Sequence, residues 1–562
     1  MSGPKTVALR PPDVVMRLAR MGAAHQTRLS FLRSMLRRAA REGWRFARPR
    51  FDIDARGVGV AVYAVATGAH TYSLVAFGHD LPAEKRTDRV IAEAWDATFV
   101  LYDGVPDEAE IARLAANVPR QEAGRYRPSD LILARANRSV RLFERVASAL
   151  SAGRQPETRD LEATGYLMRT TAVYGNGKFG IADHAVVGGR PELAAPFRAE
   201  MLTVYLIRAF TADLVERMAA LRAGSGAATL APELRRRLGI GNATGLGMAP
   251  FLVRHPALIH RWVEARETAL ARVRAVPAAT DAQRRILARA LRGARAQVAA
   301  WTTDDPVQAP RIPVLAADLE RLDAYVRAGA LDGREPWDRL YRWAEANLSL
   351  EGQEMAVSLL IEPHGAIVDD LAEHMGCDEG AVFRIDGRMR VADLAAALDG
   401  TYAWSRAIDF SRAAANARFW YVSEEKLEPR LGERDREPGA DREQPLAVAR
   451  DIERLRLALS QAPPEEALAR FLLRHPEHRH AVRRVQIAAA HPYGEIRDNL
   501  IGADVRAIDI LRCKLAFFGV TRFDPQSDKW LRITLFQGAP FPHELGEGDW
   551  DGWIWGTEAR VP

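Results

Sequence analysis

Hydrophobic positions repeat with different periods in different parts of the chain. Leu18, Met21, His25, Leu29, Leu32 and Leu36 recur at spacings of three and four, which predicts an amphipathic helix with His25 as a core histidine on its apolar stripe. Alternation then takes over. Val58, Val60, Val62 and Val65, followed by Tyr72, Leu74 and Val75, lie in β-branched and aromatic runs separated by Thr67-Gly68-Ala69-His70, which reads as a hairpin. Residues 90–102 predict one more strand, closed by Asp103-Gly104.

From about residue 106 the helical period dominates. It predicts helices over 107–117, 128–150, 191–221, 250–273, 281–301, 314–328, 336–349, 446–459, 464–473 and 496–518. Leu202, Leu206, Phe210, Leu214, Met218 and Leu221 mark one face of the longest. A late strand over 530–536 precedes Trp550, Trp553 and Trp555. The expected fold is mainly α, of the α+β class, with a small antiparallel sheet near the N-terminus.

Three segments read as connections: 223–231 in small residues, 302–313 with its prolines and aspartates, and the charged run 432–445. They suggest a basic arm over 1–45, an α+β domain over 46–301 and a second, mostly helical domain over 314–562. Residues 251–256 (FLVRHP) and 471–476 (FLLRHP) are alike, each with a histidine five positions after its own, which raises a duplication of the two halves.

Charge alters this picture at one place. The net charge is +6, yet residues 1–50 carry 12 basic and 2 acidic residues, so the rest of the chain is net negative. A basic amphipathic helix has three uses: its stripe packs on the body or on a second copy of the chain, or its arginines meet a nucleic acid or an anionic membrane. The 562-residue length supports several folding units. With two cysteines and neither an apolar spanning run nor a signal core, a cytoplasmic protein is expected.

Candidate chemistry concentrates in two glycine runs. Residues 169–180 (RTTAVYGNGKFG) combine Gly175, Gly177 and Gly180 with Lys178, one of six lysines against 73 arginines. A backbone of this kind can turn its N–H groups on an anion, with Lys178 as a point charge and Arg169 and Thr170 as further donors. The spacing is not that of a Walker motif. Residues 239–247 (GIGNATGLG), with Asn242 and Thr244, precede Pro250 and predict a loop presenting a helix N-terminus, a second anion-binding device. Arg208, inside the apolar helix, needs a partner: a carboxylate such as Glu200 or Glu216, or a substrate. Arg418 and Lys426 stand among the aromatics and carboxylates of 411–430 as a further anion clamp. Metal-ligand spacings of the zinc and calcium kinds are absent, and no metal is predicted; the cofactor is left open.

These residues together suggest an enzyme acting on a phosphate- or carboxylate-bearing small metabolite, with Lys178 as the catalytic residue. The substrate-binding set is Arg169, Thr170, Gly175, Gly177, Arg208, Asn242, Thr244, Arg418 and Lys426. Lyase, transferase and oxidoreductase chemistry all fit. The alternative is a non-catalytic binding or assembly protein whose basic N-terminal helix contacts a nucleic acid, a membrane or a partner; the partners expected otherwise are the anionic ligand and a second copy of the chain in a homo-oligomer.

Overall fold

The small and β-branched residues after the first helix form three antiparallel strands, β1 (Arg45–Ile53), β2 (Gly59–Ala66) and β3 (Thr71–Gly78). The structure, a computed structural model, describes residues 7–23, 25–86, 94–118, 127–175, 178–179, 187, 189–244, 255–303, 306, 308–376, 383–408, 419–422, 429–432, 448–497, 515–525, 531–546 and 553. β4 (Ala97–Asp103), β5 (Asp130–Arg138) and β6 (Tyr166–Gly175) continue the antiparallel order, and β7 (Lys178–Phe179) folds back on the end of β6. β8 (Gly239–Thr244) then lies beside β6 and parallel to it. β9 (Phe419–Val422) and β10 (Pro429–Gly432) form a separate hairpin. β11 (Val520–Pro525) and β12 (Leu531–Leu535) return to the main sheet, β12 pairing with β8.

The expectation of a small antiparallel sheet is therefore corrected. The sheet is large and mixed, in the order β1-β2-β3-β4-β5-β6-β8-β12-β11 with β7 attached to β6, and the fold as a whole is α+β. Its central strands are buried on both faces. β5 shows this: Ile132, Ala134 and Ala136 join one core while Leu133 joins another. A run apolar on both sides has lost the alternation that marks a half-exposed strand, so residues 128–150 read as one helix. They are β5 followed by the Phe143–Ser151 helix. The edge strand β1 carries Pro49 between Ala47 and Arg50, where its register with β2 shifts, a position that tolerates a missing N–H.

The Arg198–Ala223 helix is buried over most of its circumference and packs across β3, β4, β5, β6 and β8. The opposite face of the sheet is covered by the Glu108–Asn117 helix, whose Ile111 and Leu114 meet Val75, Val100 and Leu133. Between β8 and β11 the chain builds a helical layer that includes the Pro256–Arg274, Asp281–Ala299, Arg311–Tyr325 and Leu350–Ile361 helices. The sheet thus takes strands from both sides of the 302–313 linker, and the helices flanking that linker pack on each other. The two similar hexapeptides each end where His-Pro enters a helical turn; His255 and His475 share φ near −125° and ψ near +63°. His491-Pro492 repeats that shape, as expected of a residue held extended by the proline after it.

The basic N-terminus is not one helix. Helical turns occur at Pro12–Val15 and Phe31–Arg41, with irregular chain between. Its stripe is buried, and so are several of its arginines. Arg10 bridges Glu267 (2.7 Å) and Glu354 (2.8 Å), Arg33 grips Glu362 (2.6 and 2.8 Å) and Arg28 grips Asp369 (2.7 Å). The carboxylates come from the helical layer, so part of the excess positive charge of the first 50 residues is paired inside the fold.

Candidate functional site

Both glycine runs are strands over much of their length. Tyr166–Gly175 is β6, and Gly175 pairs with Lys178, so the end of β6 and β7 run antiparallel. Arg169 and Thr170 lie within the strand, five to six positions before Gly175, which is roughly 16–20 Å along an extended chain. They do not line the same loop as Lys178. Gly177 and the side chain of Lys178 lie outside the described residues, as do Arg418 and Lys426.

The second run opens as β8, with Arg169 opposite Gly241 and Thr170 opposite Asn242. Asn242 donates from Nδ2 to Thr170 Oγ1 (3.2 Å). Two of its glycines are explained by neighbours. A Cβ on Gly239 would meet the Leu535 carbonyl oxygen at 2.4 Å, and one on Gly241 would meet the Tyr166 ring at 2.8 Å. The helix that follows is described from Pro256 onward; residues 245–254, Pro250 among them, lie outside the described residues.

The parallel pairing has a geometric consequence. β6 and β8 run in the same direction, so the Gly175–Lys178 pair and the end of β8 at Thr244 lie at the same edge of the sheet. That edge also carries the β2–β3 turn, the end of β4 and the start of β5, since Tyr72 pairs with Asp103, Tyr102 with Asp130 and Ile132 with Gly175.

Arg208 has a different role from the one expected. Its guanidinium donates to the carbonyls of Leu238 (2.7 Å), Ala539 (2.9 Å), Pro540 (3.3 Å) and Arg236 (3.4 Å), and lies 3.9 Å over the Phe541 ring. Neither Glu200 nor Glu216 pairs with it among the described residues. The positive end of the side chain is used up by backbone oxygens that no sequence pattern displays, and Arg208 is removed from the substrate-binding set.

One cluster on the same sheet edge escaped the sequence reading. The two-residue loop Gly68-Ala69 joins β2 to β3, with Gly68 at φ +94° and Thr67 and His70 hydrogen-bonded across it. His70, just before β3, and Tyr72 on it are two apart and turn to the same carboxylate. Both reach the carboxylate of Glu192: His70 Nδ1 at 2.6 Å and the Tyr72 hydroxyl at 2.6 Å, with Thr67 Oγ1 at 3.5 Å. Burial alone would raise the Glu192 carboxyl, but the bonds from Tyr72, from its own backbone N–H and from His70 outweigh it and hold it below its ordinary value. Burial and the Glu192 carboxylate push the Tyr72 hydroxyl well up. Arg198 steadies the backbone by donating to the Glu192 carbonyl (3.4 Å), and Arg190 pairs with Asp103 alongside. The contacting side chains are 122 residues apart in sequence, and His70 looked like any turn residue.

Elsewhere, Asp370 is engaged by Arg272 (2.9 Å), and no group of three or more potential metal ligands occurs among the described residues. No helix among them is long and apolar enough to cross a membrane. No family model, curated protein or solved structure matches the chain.

Proposed function

We propose that the protein is an enzyme of the cytoplasm acting on a small metabolite that bears a phosphate or carboxylate, bound at the sheet edge where β6 and β8 end. The observation that carries this reading is the parallel pairing of those two strands, which delivers both glycine segments to one place. Ligands of sheets with parallel strands commonly bind beyond the carboxyl ends of adjacent strands, where backbone N–H groups and loop side chains converge. Lys178 supplies the charge in this reading, and Gly175, Gly177 and Thr244 belong to the binding set. Arg169, Thr170 and Asn242 support the strands behind. The reaction type stays open among lyase, transferase and oxidoreductase.

The test is a titration of the purified protein with inorganic phosphate and with succinate, followed by calorimetry. Saturable binding that Lys178→Met weakens at least tenfold is the expected result. Equal binding by the wild type and Lys178→Met overturns the assignment. The alternative, a binding or assembly protein, draws on residues 1–45; Arg10, Arg28 and Arg33 there are already engaged with carboxylates of the same chain.

A further inference from the structure

We propose that His70, oriented by Glu192 and Tyr72, is a second chemical centre of this protein: a general base that activates an oxygen nucleophile, water or a substrate hydroxyl. The inference stands on the local geometry and does not depend on anion binding at Lys178.

The carboxylate of Glu192 is 5% exposed, whereas the His70 side chain is 39% exposed. An ionised carboxylate can only accept hydrogen bonds. The Tyr72 hydroxyl therefore donates to it, and His70 must present Nδ1–H. In the neutral ring that fixes the tautomer and leaves the lone pair on Nε2. Among the described residues nothing hydrogen-bonds Nε2.

The turn itself does not need this arrangement. Thr67 N–H donates to the His70 carbonyl (2.9 Å), the Thr67 hydroxyl accepts from His70 N–H (3.2 Å), and Gly68 supplies the positive φ. A buried carboxylate is costly unless satisfied, and here the side chains of Tyr72 and His70 join its own backbone N–H as donors. The groups in contact with the ring are Glu192 and, on β3, Tyr72; the Arg190–Asp103 pair lies beside Tyr72. Glu192 is the negative charge that an imidazolium at His70 would meet directly.

The step balances with these groups alone. Nε2 takes the proton as the oxygen of water or a hydroxyl attacks an electrophilic carbon. The new C–O bond forms from the oxygen lone pair, and the leaving group departs with the electrons of the bond it breaks. The imidazolium, countered by Glu192 2.6 Å away, then returns its proton to the leaving group or to solvent. His70 is the catalytic residue in this scheme; Glu192 and Tyr72 position it.

The full-length protein, His70→Gln and Glu192→Gln are compared as hydrolysts of p-nitrophenyl acetate, together with nitrogen NMR of the histidine rings. The wild type is expected to show a solvent deuterium isotope effect of about 2 and a His70 signal with the proton on Nδ1. His70→Gln is expected to lose at least tenfold of kcat/KM, within the usual reach of general-base catalysis. Glu192→Gln is expected to lose the fixed tautomer as well as rate. A His70→Gln protein that turns over the ester at the wild-type rate, or a wild-type ring with its proton on Nε2, overturns the proposal. His70 is exposed, so its variant tests the idea even where the buried Glu192 substitution fails to fold. Phosphate binding that persists in His70→Gln separates this centre from the one proposed around Lys178.

Discussion

Arg208 sits in the middle of a long, largely buried helix and makes its contacts with four carbonyl oxygens and one ring. Each hydrogen bond from a charged donor contributes about 1.5–3 kcal/mol, and the carbonyls it serves have no route to water once it is gone. Arg208→Met is expected to lower the free energy of unfolding by about 3 kcal/mol or more, measured by urea denaturation. Arg208→Lys is expected to recover little, because one ammonium cannot span the fan of oxygens that a planar fork reaches. A buried arginine in an apolar run was legible as a residue that needs a partner. Its partners were not, because backbone carbonyls of residues 236–238 and 539–540 have no signature in the sequence. The same limit hid Glu192: a carboxylate becomes a histidine's partner only when the fold brings residues 70 and 192 together.

Elements were legible where turn or cap chemistry marks them. β2 and β3 are rich in β-branched and aromatic residues, and although β3 is buried along nearly all of its length, a glycine at the turn position that requires positive φ marks the hairpin over 58–75. The Asp281–Ala299 helix, with its Thr280–Gln283 capping box, was equally plain. β5 and β6 were not, since burial on both faces erases the period. β8 was hidden for another reason: its glycines look like a ligand loop but serve close strand packing. That distinction yields a test. Gly239→Ala drives a methyl against the Leu535 carbonyl, which is backbone held in the β8–β12 ladder, and is expected to cost about 1–3 kcal/mol by overpacking. Gly241→Ala meets the Tyr166 ring, a side chain that can tilt, and is expected to cost less. Thermal unfolding of both variants checks the order. Wild-type stability in Gly239→Ala, with loss of phosphate binding, would return the segment to the ligand-loop reading.

Across the whole molecule, several arginines of the N-terminus pair with carboxylates of the helical layer that lie far away in sequence. Arg10 and Arg266 meet Glu267 and Glu354 in the interior, and Arg198 and Arg38 meet Glu373. Burial raises the Glu267 carboxyl, but Arg10 and Arg266 outweigh it and hold the group below its ordinary value. Its stabilisation is therefore full above the ordinary carboxyl range and is lost as pH falls through the lower folded value. Three buried histidines act earlier. Burial and Arg33 push His25 down to about 3 from 6.5; burial, His491 and Arg261 push His260 to about 4; burial and Arg28 push His364 to about 4. Each stays neutral in the folded protein while the unfolded chain takes up a proton below pH 6.5, so stability falls as pH drops from 6.5 toward 4. One such proton gives a slope of about 1.4 kcal/mol per pH unit, and three give about 4. Unfolding free energy measured by urea at a series of pH values is expected to be steady above pH 7 and to fall steeply between pH 6 and 4.5. His364→Gln, which keeps an amide beside Gln283, is expected to remove about one third of that slope. A flat profile from pH 7 to 5 would mean that these rings take up protons inside the folded protein, and that the core around Arg28 and Arg33 is open to water.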